Sequence, residues 1–171
     1  MFKIGDLIVY GGTGVCRVAD IRVQDIPGLD RNRLYYILRP LYQDCTISIP
    51  ADNPKVFMRP VISRAEAEAL IDRIPSIQSE AFNSPVTREL ADYYEAGLKS
   101  HDCADLVKLT KSIYAKRRRA QACNKKLGAI DERYMKRAEE MLFGELAAVL
   151  EIPREQVVDY IARRIGGTPA N

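Results

Sequence analysis

Short apolar runs separated by turn residues occupy the first 60 residues and predict β-strands. The first two runs, Leu7–Tyr10 and residues 15–21, flank a glycine-rich turn, and further runs lie at residues 21–26, 34–38, 46–49 and 56–59. Side chains of a strand point alternately to opposite faces of a sheet, so runs of this length can bury one face. Glycine also accepts the positive φ that a tight reversal needs. The pattern predicts an N-terminal hairpin and about five short strands in all.

From residue 63 onward the apolar positions recur at helical spacing and predict five helices. Ser63 opens a capping box, Ser84 followed by proline is a second start signal, and Asp102 is the predicted N-cap of the third helix, with Gly128 as its C-cap. The other helices are predicted over residues 67–74, 86–99 and about 131–150, and from residue 153 to a glycine pair at 166–167.

The change from strand to helix patterns near residue 60 predicts an α+β chain with two domains. Residues 1–60 are expected to form a small Tudor-like or SH3-like β-barrel, because closure removes most open strand edges. Residues 61–171 are expected to form an all-α domain of about five helices. A barrel module joined to a helical module is typical of an adaptor that connects two partners.

Composition narrows the class of protein. With 171 residues and a hydrophobic content of 47%, the chain is expected to be globular and monomeric. We expect a cytoplasmic location, because no apolar run reaches the roughly 20 residues of a membrane span and the N-terminus lacks the pattern of a signal peptide. The four cysteines are scattered without a Cys-x-x-Cys pair, so we expect neither a zinc site nor a disulfide framework.

Charge is distributed unevenly although the net charge is only +3. Residues 106–137 contain eleven basic and two acidic residues, a balance of +9, whereas residues 61–105 contain four basic and nine acidic residues, a balance of −5. At 100° per residue, five basic side chains of the third helix cluster on one face, and the apolar positions lie opposite. The clustered residues are Lys108, Lys111, Arg118, Arg119 and Lys126, and the opposing ones are Leu106, Leu109, Ile113 and Ala120.

This basic face indicates binding to a nucleic-acid backbone, because several cations on one rigid element can neutralise several phosphates. The competing interpretation is a solvated face that only favours the C-terminus of its helix. Tyr93 and Tyr94 could stack on bases, although aromatic residues at helical spacing are also typical of a core.

The sequence indicates no catalytic site and no cofactor. The glycine-rich turn at residues 11–14 lacks the lysine and the helix of a phosphate-binding loop, and it is interpreted as a hairpin turn. His101 is the sole histidine, and Glu139 and Glu140 are adjacent on a helix and point in different directions. We therefore expect no enzyme activity, no metal site and no bound cofactor.

Several stretches, in a fixed order along the chain, carry a resemblance to a known family. The N-terminal ones are KIGDLIVYGGTGVCRV, the IPG turn after Asp25, ISIPADN at residues 47–53 and MRPVIS at residues 58–63. Farther on, LKSHD at residues 98–102 is similar to a Leu-x-Ser-Gly-Asp helix junction, and residues 137–146, which include LFGEL, are similar to a fourth-helix pattern. Together they resemble the CarD/CdnL family of bacterial transcription regulators over nearly the whole chain.

The resemblance implies a Tudor-like domain that docks on the β subunit of bacterial RNA polymerase. It also implies a helical domain that contacts double-stranded promoter DNA near the upstream edge of the transcription bubble and stabilises the open complex. The polymerase-binding residues expected from it are Gln24, Thr46, Ile47, Ser48, Ile49 and Pro50, the last five as a strand that can pair with a partner's edge. The DNA-binding residues expected from it and from the charge pattern are Arg88, Lys108, Lys111, Arg117, Arg118, Arg119, Lys125, Lys126, Arg133 and Arg137.

The chain also departs from the family pattern. It contains no tryptophan, and Thr87 or a neighbour lies where relatives place a tryptophan that wedges into the minor groove. Gln24 and Ser48 stand where relatives have basic residues that assist docking. We therefore expect a divergent member that relies on phosphate contacts. Two other functions stay open: an RNA-binding or ribosome-associated module similar to KOW domains, and a pure protein-interaction adaptor.

Overall fold

The computed structural model describes residues 1–24, 27–28, 31–52 and 55–166. The chain divides into two compact units, Met1–Ser63 and Arg64–Asn171. In the described residues the first unit has five strands and the second has five α-helices, which confirms the predicted fold class. The turn predicted after Asp25 lies partly outside the described residues, as do the end of the ISIPADN stretch and the second glycine of the pair at residues 166–167.

The first unit is an antiparallel sheet of five strands in the order β4-β3-β2-β1-β5. The strands are β1 (Leu7–Tyr10), β2 (Gly14–Val23), β3 (Leu34–Pro40), β4 (Ile47–Pro50) and β5 (Met58–Pro60). Among the described residues β4 and β5 are the two edges of this sheet, so closure into the predicted barrel is not detected.

The N-terminal hairpin forms as predicted. A 3₁₀ turn at Gly11–Thr13 joins β1 to β2, with Ile8 opposite Cys16. Gly11 has a φ of +42°, and a Cβ built there would lie 2.6 Å from Cγ1 of Val56, so both the backbone conformation and the available space favour glycine. The glycine-rich segment is therefore a hairpin turn, not a phosphate-binding loop.

Alternation along the strands builds the core of this unit. The cluster contains buried residues from four strands: Ile8, Cys16, Val18, Tyr36, Leu38 and Ile49. The register of β2 against β3 shifts between Val18 and Asp20, a bulge that locally increases the twist of the long strand β2. Strand β2 ends at Val23, three residues before the predicted end at 26.

The second unit contains helices whose limits are close to the predicted ones, except at the end of the third helix. They are α1 (Arg64–Arg73), α2 (Thr87–Lys99), α3 (Cys103–Ala122), α4 (Ala129–Leu150) and α5 (Val157–Arg164), with 3₁₀ turns at Ile74–Ser76 and Arg154–Gln156. Helix α4 packs against α1, α2, α3 and α5 and is the central element of the unit. Its apolar face buries Tyr134, Leu142 and Leu146.

The helix caps show which local signals were correct. The side chain of Asp102 accepts hydrogen bonds from the backbone N–H groups of Ala104 and Asp105, which confirms the predicted N-cap of α3. The predicted cap at Ser84 is wrong, because α2 begins at Thr87 and the Ser84 hydroxyl instead donates to Glu89 and accepts from the Val86 N–H. The predicted C-cap at Gly128 is also wrong, because this glycine is the N-cap of α4.

Candidate functional site

The outer edge of β4 presents backbone groups that pair with no described strand. The N–H of Ala51 donates to the carbonyl oxygen of Leu34 at 2.9 Å, so these two residues form a hydrogen-bonded pair of the antiparallel ladder. Hydrogen-bonded and non-hydrogen-bonded pairs alternate along such a ladder. The pair of Ser48 with Ile37 is therefore non-hydrogen-bonded, and the N–H and C=O of Ser48 point away from β3. Pro50 lies in an equivalent position, where its missing N–H is tolerated.

The side chains predicted to bind polymerase fall into two groups. Gln24 is only 7% exposed, its Nε2 donates to the Ser48 hydroxyl at 3.1 Å, and Ile49 is a core residue. We therefore correct the expectation for these two side chains, which lie inside the unit. The side chains of Thr46 and Ser48 are exposed and those of Ile47 and Pro50 are half-buried, so this part of β4 is accessible.

Helix α3 ends in a hydrogen-bonded reversal that the sequence analysis missed. Asn124 adopts a left-handed conformation with a φ of +55° and donates from its N–H to the carbonyl oxygen of Gln121. The N–H of Lys125 donates to the carbonyl oxygen of Ala120 at 2.7 Å. This pair of bonds is a Schellman motif, in which asparagine replaces the usual glycine. The reversal brings Lys125 back against the last turn of α3.

The reversal changes how the basic residues are arranged. Lys126 is not on the helical face where the 100° periodicity placed it, because α3 ends at Ala122. Four exposed cations are nevertheless gathered at this helix end, and we call them the cationic cluster: Arg118, Arg119, Lys125 and Lys126. Within the described residues none of the four forms an ion pair with a carboxylate of the protein.

Two lysines of the same basic segment are held by the protein itself. Lys111 Nζ donates to the carbonyl oxygens of Ile74 and Ile77 at 2.8 and 2.7 Å, so its charge stabilises the chain that follows α1. Lys116 forms a buried ion pair with Asp131, with 2.8 Å between Nζ and Oδ1. We therefore exclude Lys111 from the DNA-binding set, which never included Lys116.

The remaining predicted DNA-binding residues lie in different environments. Arg137 pairs with Glu95 at 2.7 Å, and Arg117 is half-buried. The side chain of Arg133 is exposed, and its guanidinium lies 5.0 Å from the centre of the Tyr134 ring. Arg88 and Lys108 are also exposed. Outside the cationic cluster, Arg88, Lys108 and Arg133 are thus the predicted residues that stay available on the helical unit.

Lys116 belongs to a buried polar network with Tyr94 and Asp131 that the sequence did not predict. The hydroxyl of Tyr94 and the ammonium of Lys116 both donate to Oδ1 of Asp131, and Lys116 also donates to the carbonyl oxygen of Phe82 at 3.0 Å. Burial, followed by the hydrogen bond to Asp131, raises the pKa of Tyr94 well above its ordinary value. The sequence signal for this network is weak: Asp131 is one of two acidic residues, with Glu132, in the first turn of α4.

A second set of contacts joins α2 to α4 near the surface. Glu95 accepts hydrogen bonds from Arg137 and from the hydroxyl of Tyr134 at 2.8 Å. The Arg137 bond, with help from the Tyr134 bond, holds the pKa of Glu95 below its usual range. Arg137 therefore acts in this ion pair, which competes with a contact to phosphate.

The two tyrosines and the missing tryptophan can now be placed. Tyr94 is fully buried, which agrees with the interpretation of aromatic spacing as core, whereas Tyr93 is 45% exposed and stacks on Phe82 with ring centroids 4.0 Å apart. Thr87 is the first residue of α2, and both Thr87 and the preceding Val86 are exposed. Within the described residues, the start of α2 therefore carries no large aromatic side chain.

Two further observations concern the described residues alone. They contain no group of three or more His, Cys, Asp or Glu side chains arranged to hold a metal ion. None of their helices combines the length and the hydropathy that crossing a bilayer requires.

Comparison with known families matches the first unit. Residues 2–62 match the family model described as the CarD-like/TRCF RID domain, and this range corresponds to the five-stranded unit. The match ends before α1, so the similarity of the helical unit to the family stays a prediction. The first unit is thus a CarD-like/TRCF RID domain, and this match supports membership in the CarD-like family.

Proposed function

We propose that this chain docks on the β subunit of RNA polymerase through the outer edge of β4 and holds promoter DNA through the cationic cluster, without reading sequence. In this way it would modulate the stability of the open complex. The observation that carries the proposal is the combination of a CarD-like RID domain with a second unit that keeps four cations, Arg118, Arg119, Lys125 and Lys126, exposed and outside the ion pairs of the described residues. Domain limits near residue 63 fit this division of roles.

The proposed binding to polymerase depends on the backbone geometry of β4. A partner strand added to β4 would find the N–H and C=O of Ser48 directed outward, and main-chain hydrogen bonds supply the affinity in this mode of recognition. Ser48→Pro removes the outward N–H and keeps the ladder to β3, because residue 48 donates nothing to that ladder. Ser48→Ala is the matched control, since it removes only the hydroxyl that accepts from Gln24.

The polymerase experiment uses the full chain. Binding of core polymerase to immobilised protein should weaken at least about tenfold in Ser48→Pro and change little in Ser48→Ala, because only the first loses a backbone donor. Equal affinity of both variants would remove β4 from the interface. Circular dichroism should show that both variants keep the fold.

The proposed binding to DNA depends on the number of available cations. Each neutralised phosphate contributes roughly −0.9 to the slope of log K against log salt, so the four residues of the cationic cluster predict a slope of about −3.6 on duplex DNA. Phosphate contacts fix orientation but carry no sequence information, so unrelated duplexes should bind with similar affinity. Arg88 and Arg133 are expected to add smaller contributions.

Two double variants that each remove two positive charges test the proposed binding to DNA. Arg118→Gln with Arg119→Gln should reduce the slope to about −1.8, because two phosphate contacts are lost. Arg73→Gln with Lys99→Gln also removes two exposed positive charges, but these lie outside the cationic cluster, and we expect this control to change the slope little. Fluorescence anisotropy over a salt series measures both. If the two double variants behave alike, binding depends on net charge and the cationic cluster has no special role.

The regulatory step follows from differential affinity. A protein that contacts DNA better in the open complex shifts the equilibrium by that difference, and about 1.4 kcal/mol changes the ratio of open to closed complexes tenfold. The lifetime of open complexes after a competitor challenge should rise with the unaltered protein and rise less with the Arg118→Gln, Arg119→Gln variant. Polymerase binding together with no effect of this variant would instead favour a pure protein adaptor.

A further inference from the structure

A cleft between α2, α3 and the segment that precedes α2 is not used by the proposed function. Its volume is about 460 Å³, within the range of small-molecule pockets. Apolar parts of Tyr93 and Gly97 from α2 and of Leu109 from α3 line it. The cleft lies entirely within the helical unit.

A buried hydroxyl without a partner lies in this cleft. Ser112 is 4% exposed, and its Oγ has no hydrogen-bond partner among the described residues. A buried hydroxyl left in this state destabilises the fold, so such groups are normally satisfied by protein, water or ligand. Ser112 belongs to the lining of the cleft, so a molecule bound there is a candidate partner for this hydroxyl.

Charged groups of both signs surround the same cleft. Lys108 lies four residues before Ser112 on α3, so the two residues share one helix face, about 6 Å apart along the axis. Asp105, a further turn away, and Glu80 add two carboxylates to the lining. Within the described residues none of these three charged side chains forms an ion pair, so their charges remain available to a ligand.

We infer that this cleft binds a small zwitterion with an apolar body, the chemical class of a free hydrophobic amino acid. The ligand's carboxylate would accept hydrogen bonds from Lys108 and Ser112, its ammonium would lie against Asp105 or Glu80, and its side chain would pack on Tyr93 and Leu109. Asp105 and Glu80 against the single ammonium of Lys108 give the lining a net negative charge. This charge disfavours the phosphates of a nucleic-acid backbone at this place. The cleft is thus distinct in chemistry from the cationic cluster.

Three probes that share one aromatic body test the inference on the full chain. They are L-phenylalanine, 2-phenylethylamine, which lacks the carboxylate, and 3-phenylpropionate, which lacks the ammonium. Isothermal titration calorimetry should show saturable binding of L-phenylalanine in the millimolar range or tighter, with each of the other two about tenfold weaker, because each loses a charge-assisted contact. Absence of saturation with L-phenylalanine, or equal affinity for all three, would overturn the inference.

Variants locate the binding in the cleft. Ser112→Ala should weaken L-phenylalanine about tenfold without lowering the thermal midpoint, since it removes a hydroxyl that is unsatisfied in the free protein. Lys108→Gln should weaken it to a similar degree, and Ala96→Phe, at an exposed lining position, should abolish binding by filling the cleft. If these variants bind L-phenylalanine normally, or if single-stranded DNA displaces it, the cleft is not the proposed site.

Discussion

Replacing Lys116 with methionine should destabilise the helical unit while leaving the cationic cluster intact. The Lys116 and Asp131 side chains are 11% and 8% exposed, and Nζ lies 2.8 Å from Oδ1. At an effective dielectric constant of about 20, unit charges at this distance attract by about 6 kcal/mol, much of which desolvation of the two groups offsets. Methionine keeps the apolar stem but leaves a buried carboxylate without its cation, a change that costs roughly 3–5 kcal/mol. We expect the low end, about 3 kcal/mol, because Tyr94 still donates to Asp131.

Urea unfolding of the full chain at neutral pH, with linear extrapolation, measures this loss. Arg118→Met is the matched control on the same helix, and at an exposed position it should change the free energy of unfolding by less than about 0.5 kcal/mol. The double variant Lys116→Met, Asp131→Leu should recover at least half of the loss, because both buried charges are then absent. A Lys116→Met variant within about 1 kcal/mol of the unaltered protein would refute the assignment of Lys116 to a buried ion pair.

Three further predictions concern single positions. Glu151 is exposed at the end of α4 and has a φ of +57°. Glu151→Gly should therefore raise the free energy of unfolding, measured with urea, by about 0.5–1 kcal/mol. Glu151→Ala retains the backbone strain and should bring no gain. Thr87→Trp places an aromatic side chain at the exposed start of α2. The affinity for duplex DNA, measured by fluorescence anisotropy at elevated salt, should rise about tenfold. Unchanged affinity would exclude this helix end from the minor groove. Burial raises the pKa of Cys16 to about 11. At about pH 8, iodoacetamide should therefore label the exposed Cys45 and Cys123 but not Cys16. Peptide mapping that finds Cys16 labelled in the native protein would contradict its core position.

The strands and most helix limits could be predicted because their signals are local. Leu7–Tyr10 was predicted with its observed limits, since turn glycines follow it directly. Asp102 was recognised as an N-cap because its side chain acts on the next three residues of its own helix. Barrel closure, which is not detected among the described residues, depends on how far a sheet curls, and a count of short strands does not determine that.

The end of α3 could not be predicted from glycine alone. Gly128 is the glycine nearest to the expected end, whereas the chain reverses at Asn124, the residue type that after glycine most readily adopts a left-handed conformation. An error of five residues in this cap, Gly128 instead of Cys123, moved Lys126 from a helical face to a connecting segment. The helical periodicity thus misplaced Lys126, which lies in the segment after α3.

The basic segment shows why charge counting alone does not define a nucleic-acid surface. Its net charge of +9 includes Lys111, which binds carbonyl oxygens near the end of α1, and Lys116, which neutralises Asp131 inside the unit. Helical periodicity left Lys116 outside the basic face, but it could not separate Lys111 from Arg118 and Arg119, because the partners of Lys111 come from a distant part of the chain. An ammonium that already has two or three short contacts must give them up to meet a phosphate, whereas an exposed guanidinium exchanges only water. Affinity for DNA should therefore follow the number of cations left in solvent, and the salt slope should be about half of what nine free charges would give.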